Sequence, residues 1–288
     1  MRRRNLSAAV FIAPAVILAV ALLYLPFVWT SYLSLTEYNG LGSPQFVGLA
    51  NFSAMAETSS ILISIGNTLL WVAGTLLIPV ALGLFIAVLT HGIRGSGWFR
   101  LPFLLPYATS GIAVGVIWTF ILQDGGALTQ VLTFLHIPGA HARWLLDAPL
   151  NTIMMIIASA WQATGVNALL FAIGLQSIPK EPTEAATLDG AGGWTLFSRI
   201  TWPMLRPMTT VVVGLSLVGS LKTFDIVWGM TKGGPGTSSE TLALTMYKQT
   251  FVANNYGLGA AIALLLTVVT VAASVLYLRN QLQPAKEF

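Results

Sequence analysis

The chain contains no cysteine, which removes disulfides, thiolate zinc sites, iron–sulfur clusters and a cysteine nucleophile from consideration. Charge is the second scarcity. Only 8% of the 288 residues are Asp, Glu, Lys or Arg, against about a quarter in soluble domains, while 55% are hydrophobic. One soluble core of this size cannot hide so much apolar surface. The ten acidic residues stand singly, so no clustered set suggests a membrane-embedded enzyme. His91, His136 and His141 lack metal-ligand spacing, and no HExxH occurs. No Ser–His–acid set is localised, and no G-x-x-x-x-G-K-[ST] loop is present to cradle nucleotide phosphates. Gly233–Gly236 has no following lysine and reads as a turn. The reading is therefore a chain without catalysis, metal or cofactor of its own.

What is abundant is apolar sequence in long blocks, each near the roughly 20 residues that cross a hydrocarbon layer. Six are drawn, over residues 6–32, 61–90, 101–122, 152–175, 207–228 and 257–278. None shows strand-like alternation, and backbone polar groups in lipid must be satisfied internally, so helices are expected. The fold class is all-α: a polytopic membrane protein with six transmembrane helices. Pro79 in the long second block predicts a kink or a tilt. Arg2, Arg3 and Arg4 resemble the basic start of a signal peptide, but Tyr24, Pro26, Phe27 and Trp29 continue the block without a clean cleavage site. An uncleaved first helix is expected.

The basic residues report orientation. Arg2, Arg3, Arg4, Arg94, Arg100, Lys180, Arg199, Arg206, Arg279 and Lys286 fall on one side; Arg143, Lys232 and Lys248 fall on the other. This excess places both termini in the cytoplasm of a cell-membrane protein. The net charge of +4 thereby reads as topology, and no basic run interleaved with aromatics suggests nucleic acid. The outward loops, near 37–60, 123–151 and 229–256, are short and turn-rich, so residues 1–288 read as one transmembrane domain. No internal repeat relates the halves, which weakens a single-chain secondary transporter.

The cytoplasmic stretch of about residues 176–206 is the most informative. Pro182 suits a first helical turn, and Glu181 and Glu184 lie near its positive end. Ala185 and Ala186 favour helix and close packing. Asp189–Gly190 stops the helix, since glycine accepts the left-handed conformation just past a helix end. A second short helix is expected from Trp194 to Ile200, closed before Pro203. Two stubby helices suit docking into a groove of another protein; an amphipathic loop on the membrane surface is equally compatible on physics alone.

The order Glu184-Ala185-Ala186, Asp189-Gly190-Ala191, Ile200 and Pro203 resembles the EAA loop of permease subunits of binding-protein-dependent ABC importers. Trp202 stands where that family usually has leucine. Residues 46–52 and 231–241, with Tyr247 and Phe251, further resemble the carbohydrate branch of MalF, UgpA and SugA kind, with Ala50 where an acidic residue is common. The resemblance implies a type I importer (MetI/MalF-like) permease fold that moves a sugar or sugar-like solute inward. It implies a second, MalG-like permease subunit, two ATPase subunits using ATP and Mg, and an extracytoplasmic solute-binding protein. It assigns Glu184, Ala185, Ala186, Asp189, Gly190 and Ala191 to the ATPase contact, with Ile200 and Pro203 holding the loop to the bundle.

Polar residues inside the spans are costly and often functional. The fifth block carries Ser216, Ser220, Lys222, Thr223 and Asp225; the fourth carries Trp161, Gln162, Thr164 and Asn167. Gln162, Asn167, Ser220, Lys222, Asp225 and Trp228 are candidates for a substrate path. Each has a plainer alternative. Lys222 and Asp225, three apart, can pair on one helix face; amides can join helices; tryptophans near span ends can anchor the interface. The competing class is a self-sufficient secondary transporter or channel, which would need no ATPase.

Overall fold

The computed structural model describes residues 2–93 and 95–281. Arg94 and Lys286, used above for orientation, lie outside them. The chain is almost wholly helical and forms two compact units, residues 1–62 with 245–268, and residues 63–244 with 269–288. Five stretches are long and apolar enough to cross a membrane: Val10–Leu33, Ser59–Leu89, Gly111–Phe134, Leu150–Gln176 and Tyr256–Arg279. A sixth is a bent pair, Gly193–Met204 with Arg206–Leu221, turned by 69°.

The first unit begins with α1 (Arg2–Ala19) and α2 (Leu25–Leu33), joined without interruption by a π-helical turn at Val20–Tyr24. That turn precedes Pro26, which has no N–H to give. Leu25 N–H instead reaches Val20 O, a register wider by one residue, and the helix continues past the proline. Side chains such as Phe11, Leu22 and Leu25 are exposed all round, as suits a helix whose solvent is hydrocarbon. A two-stranded hairpin follows, β1 (Thr36–Glu37) against β2 (Gln45–Phe46), antiparallel, with Thr36 opposite Phe46. Then comes α3 (Ala50–Glu57), from which Asn51 Nδ2 donates to Ser34 O and Thr36 O, each at 2.9 Å. Tyr256 N–H bonds Tyr38 O at 2.9 Å, and the two tyrosine rings meet at 5.6 Å.

In the second unit α4 (Ser59–Leu89) runs on from the first and passes through Pro79 as one helix. α5 (Ser96–Leu104) follows, and Arg100 covers the end of α4 by donating from Nε to Thr90 Oγ1 at 2.9 Å. The third apolar block is divided. Pro106 opens a single 3₁₀ turn, Thr109 and Ser110 are extended, and α6 (Gly111–Leu122) starts afresh with Ser110 Oγ accepting from Ala113 N–H. The loop beyond it is not all turn, since it contains α7 (Ala127–Phe134). α8 (Leu150–Gln176) is the most buried span. It leads to α9 (Lys180–Leu188), α10 (Gly193–Leu196) and α11 (Trp202–Met204), then to α12 (Arg206–Leu221) and α13 (Asp225–Met230). α14 (Leu242–Tyr247) and α15 (Tyr256–Gln281) complete the chain.

The fifth block therefore departs from one continuous helix over 207–228. α12 rises about 24 Å, short of the roughly 30 Å hydrocarbon layer, and residues 222–224 interrupt it before α13. One core cluster of this unit is Ala87, Phe171, Ala172, Leu175, Leu205 and Val212. Elsewhere the packing is set by absent side chains. A Cβ on Gly165 of α8 would collide with the Phe103 carbonyl oxygen, and one on Gly115 of α6 would lie 3.1 Å from Gly229 Cα of α13. Gly165→Ala should therefore cost several kcal/mol, above the about 1–3 kcal/mol of ordinary overpacking, because backbone must move. Gly66→Ala, in the interior of α4 where a Cβ meets open space, should hold stability or raise it by up to about 1 kcal/mol. Thermal unfolding midpoints of the two variants in mild detergent check this.

Candidate functional site

The coupling candidates fall in segment 180–204 of the second unit, and two of the path candidates fall at a cavity beside α8 and α12. α9 starts after Pro179, with Glu181 in the first turn, where the helix dipole favours a carboxylate. It ends in a paired C-terminal closure. Gly190, at φ 84°, sends its N–H to Thr187 O, and Ala191 N–H reaches Ala186 O at 2.9 Å. The stop expected at Asp189–Gly190 is where it occurs.

The second helix is longer than expected. From Gly193 it passes through a π-helical turn at Phe197–Thr201 and on through Pro203 to Met204. Trp202 N–H bonds Phe197 O, again one residue wider than α, just before a proline that cannot donate. Leu205, 1% exposed, then sits in the core at the 69° bend into α12. Ile200 and Pro203 are half-buried, so the deepest anchor of the segment is Leu205, which sequence reasoning missed. Glu184, Ala185, Asp189 and Gly190 are exposed, and Ala186 and Ala191 are half-buried. Leu188 and Trp194 stand out at 89% and 76% exposure. Between α9 and the ends of α4 and α8 runs an open groove of about 860 Å³, lined by His91, Leu175, Lys180, Glu184, Leu188 and Leu196.

The cavity, about 410 Å³, is lined by Thr75, Tyr107, Asn167, Ser216, Ser220 and Thr223 among others, none of them charged. Asn167 is 5% exposed, and its Nδ2 has no hydrogen-bond partner among the described residues. Such a donor is costly unless something completes it. Ser220 Oγ donates to Leu217 O and Thr223 Oγ1 to Gly219 O, which leaves their oxygens able to accept.

Of the six path candidates, Asn167 and Ser220 line this cavity and the other four do not. Gln162 donates to Thr109 O at 2.8 Å, satisfying the main-chain break before α6. Lys222 and Asp225 form no ion pair; the helix ends between them, and both are exposed. Asp225 instead opens α13 and lies against Gly111, where α6 begins. Trp228 stacks on Phe224 at 5.8 Å, with Lys232 Nζ 5.9 Å from its ring centre. Thr75 and Tyr107 were missed because they come from distant segments. Ser216, Gly219 and Ser220 carry a signal in their i, i+3, i+4 spacing, which puts them on one face of α12, and Thr223 follows just beyond its end.

Comparison with known proteins decides the class. The family model described as binding-protein-dependent transport system inner membrane component matches residues 79–285. The chain belongs to that family. It is 34% identical over 274 residues to the sn-glycerol-3-phosphate transport system permease protein UgpA of Agrobacterium fabrum, covering 93% of this chain and 92% of that one. It is 32% identical over 271 residues to the multiple sugar-binding transport system permease protein MsmF of Streptococcus mutans, covering 93% of each. The fold matches a crystal structure of a bacterial ABC transporter involved in import of the acidic polysaccharide alginate, with TM-score 0.85, 18% identity and coverage of 99% and 98%. The chain is thus a multi-pass permease subunit of an ABC importer in the inner membrane, and ATP hydrolysis resides in a partner.

In this permease Gly190 tests the closure of α9. A Cβ there meets open space, so the cost of Gly190→Ala is one of backbone alone, about 1–2 kcal/mol for a left-handed residue. Gly190→Asn should recover much of it. Protease cleavage rates across 180–204 report the difference: accelerated in the alanine variant, near wild type in the asparagine variant.

Proposed function

We propose that this permease carries an uncleaved sugar or related polyhydroxylated solute inward, and that segment 180–204 meshes with an ATPase subunit at the cytoplasmic face. The single observation that carries the reading is the exposed two-helix knob joined by a buried hinge to the helix that lines the cavity. Glu184, Ala185, Ala186, Asp189, Gly190 and Ala191 form the contact, and Leu188 and Trp194 add exposed apolar surface of the kind found at interface centres. Force on 193–204 passes through Leu205 to α12, which carries Ser216 and Ser220. Closure of the ATPases around ATP and Mg would so reshape the cavity from the far end of α12.

The solute reading draws on the relative's name as a multiple sugar transporter and on the lining of hydroxyls with one amide. Asn167 Nδ2 offers its free hydrogen to a solute oxygen. Lys222, Asp225 and Trp228 stand near the path without lining it, and Gln162 supports it through Thr109. The complete importer pairs this chain with a second permease, two ATPases and an extracytoplasmic binding protein. We read residues 1–288 as one permease domain, since α4 and α15 each contribute to both compact units. Both termini face the cytoplasm.

Glu184→Lys should lower ATPase subunit recovered with the permease in mild detergent roughly tenfold, the equivalent of about 1.4 kcal/mol. Recovery of a fully coupled complex would overturn the contact assignment. Asn167→Leu removes a buried donor without a partner, so thermal stability should hold or rise while uptake by the reconstituted importer falls about tenfold, the scale of one lost solute hydrogen bond. Unchanged uptake would remove Asn167 from the path.

A further inference from the structure

The loop between α13 and α14, residues 231–241, lies at the end of α8 remote from segment 180–204. It is rich in glycine and hydroxyl side chains, a composition that ordinarily marks a mobile surface turn. Here its second half is buried: Ser239, Glu240 and Thr241 are 0%, 3% and 1% exposed. The cause is a set of side-chain bonds from two spans. Asn67 of α4 gives both amide hydrogens to loop carbonyls, Ser238 O and Glu240 O, each at 2.9 Å, while its Oδ1 accepts from Thr152 Oγ1. Its neighbour Thr68 accepts Leu242 N–H at 3.0 Å. Asn151 of α8 donates to Ser238 Oγ at 3.0 Å. Within the loop, Ser239 Oγ donates to Gly234 O at 2.7 Å.

All this fixes Thr241, and Thr241 Oγ1 has one hydrogen, which it gives to Thr223 O at 2.7 Å. Thr223 stands in the interruption between α12 and α13, where its carbonyl has left the α12 ladder, and its side chain lines the cavity. We propose that Thr241 is a positioning residue of the solute path: held over the α12–α13 break by Asn67 and Asn151, its hydroxyl sets where Thr223 stands in the cavity wall. The inference rests on the cavity being the solute path, and adds that the loop and the path move as one. A partner that displaces this loop thereby displaces Thr223. Simple packing would require only a side chain of the right volume at 241; the observed geometry requires a hydrogen to donate.

The absence of native cysteine lets an introduced thiol be the single alkylation site on this chain, which is read after separation from its partners. Thr223→Cys is introduced into the full importer in detergent or vesicles, and its alkylation rate by iodoacetamide is followed in otherwise wild-type protein and with Thr241→Val, Thr241→Ser or Asn67→Leu. Thr241→Val keeps volume and loses the donor; Thr241→Ser keeps the donor and loses a methyl. The valine and Asn67→Leu backgrounds should change the rate about fivefold, the population shift of one buried hydrogen bond, and the serine background should stay near wild type. Leu41→Cys, at an 80% exposed position in the hairpin, should react alike in every background and so controls for reagent access, while co-purification of the importer subunits with each variant reports intact assembly. An equal rate at Thr223→Cys in the valine background overturns the positioning role and leaves the cavity standing. A thiol at 223 that reacts in no background overturns the cavity reading itself.

Discussion

A carbonyl that leaves its helix inside apolar surroundings must still find a hydrogen, and most of the polar chemistry in this permease answers that requirement. Gln162 supplies Thr109 O, Thr241 supplies Thr223 O, Arg100 covers the end of α4 at Thr90, and Asn51 serves Ser34 O and Thr36 O. Each unmet group would cost about 1–3 kcal/mol, more where water is absent. Where the ladder breaks at a proline, the chain has a second remedy. The π-helical turns before Pro26 and Pro203 move the hydrogen-bond register by one residue so that the helix continues.

This accounting separates structural polar residues from those open to a solute. Gln162 commits one amide hydrogen to Thr109 O, a bond that serves the main-chain break before α6. Asn167 is the contrary case: more deeply buried, with an amide nitrogen that has no hydrogen-bond partner among the described residues. Among its neighbours in the cavity, Ser220 and Thr223 commit their hydroxyl hydrogens to helix carbonyls and keep oxygens able to accept. Such a wall suits an uncharged polyhydroxylated molecule.

Much of the architecture was legible in composition. Spans at 61–90, 152–175 and 257–278 lie within a few residues of α4, α8 and α15, because unbroken apolar length is a direct readout of hydrocarbon thickness. The stop at Asp189–Gly190 was legible because a left-handed glycine is a local signal. The breaks at 109–110 and 222–224 were not. Hydropathy counts residues without asking who completes their backbone, and the partners lie far off, at Gln162 and Thr241. The same blindness made Lys222 and Asp225 look like an ion pair on one face; the helix that would have aligned them ends at Leu221. Leu205 escaped notice since one leucine among many carries no mark of a hinge.

The remaining link runs from the knob to an ATPase. Because the chain has no cysteine, a single Leu188→Cys places one thiol at an 89% exposed position of α9. Labelling it with a membrane-impermeant maleimide, in vesicles of both orientations and with or without ATPase subunits, addresses that link most directly. The account predicts reaction only when the cytoplasmic face is accessible, and strong protection when the ATPase is bound. Labelling from the opposite face, or a rate indifferent to the ATPase, would contradict it.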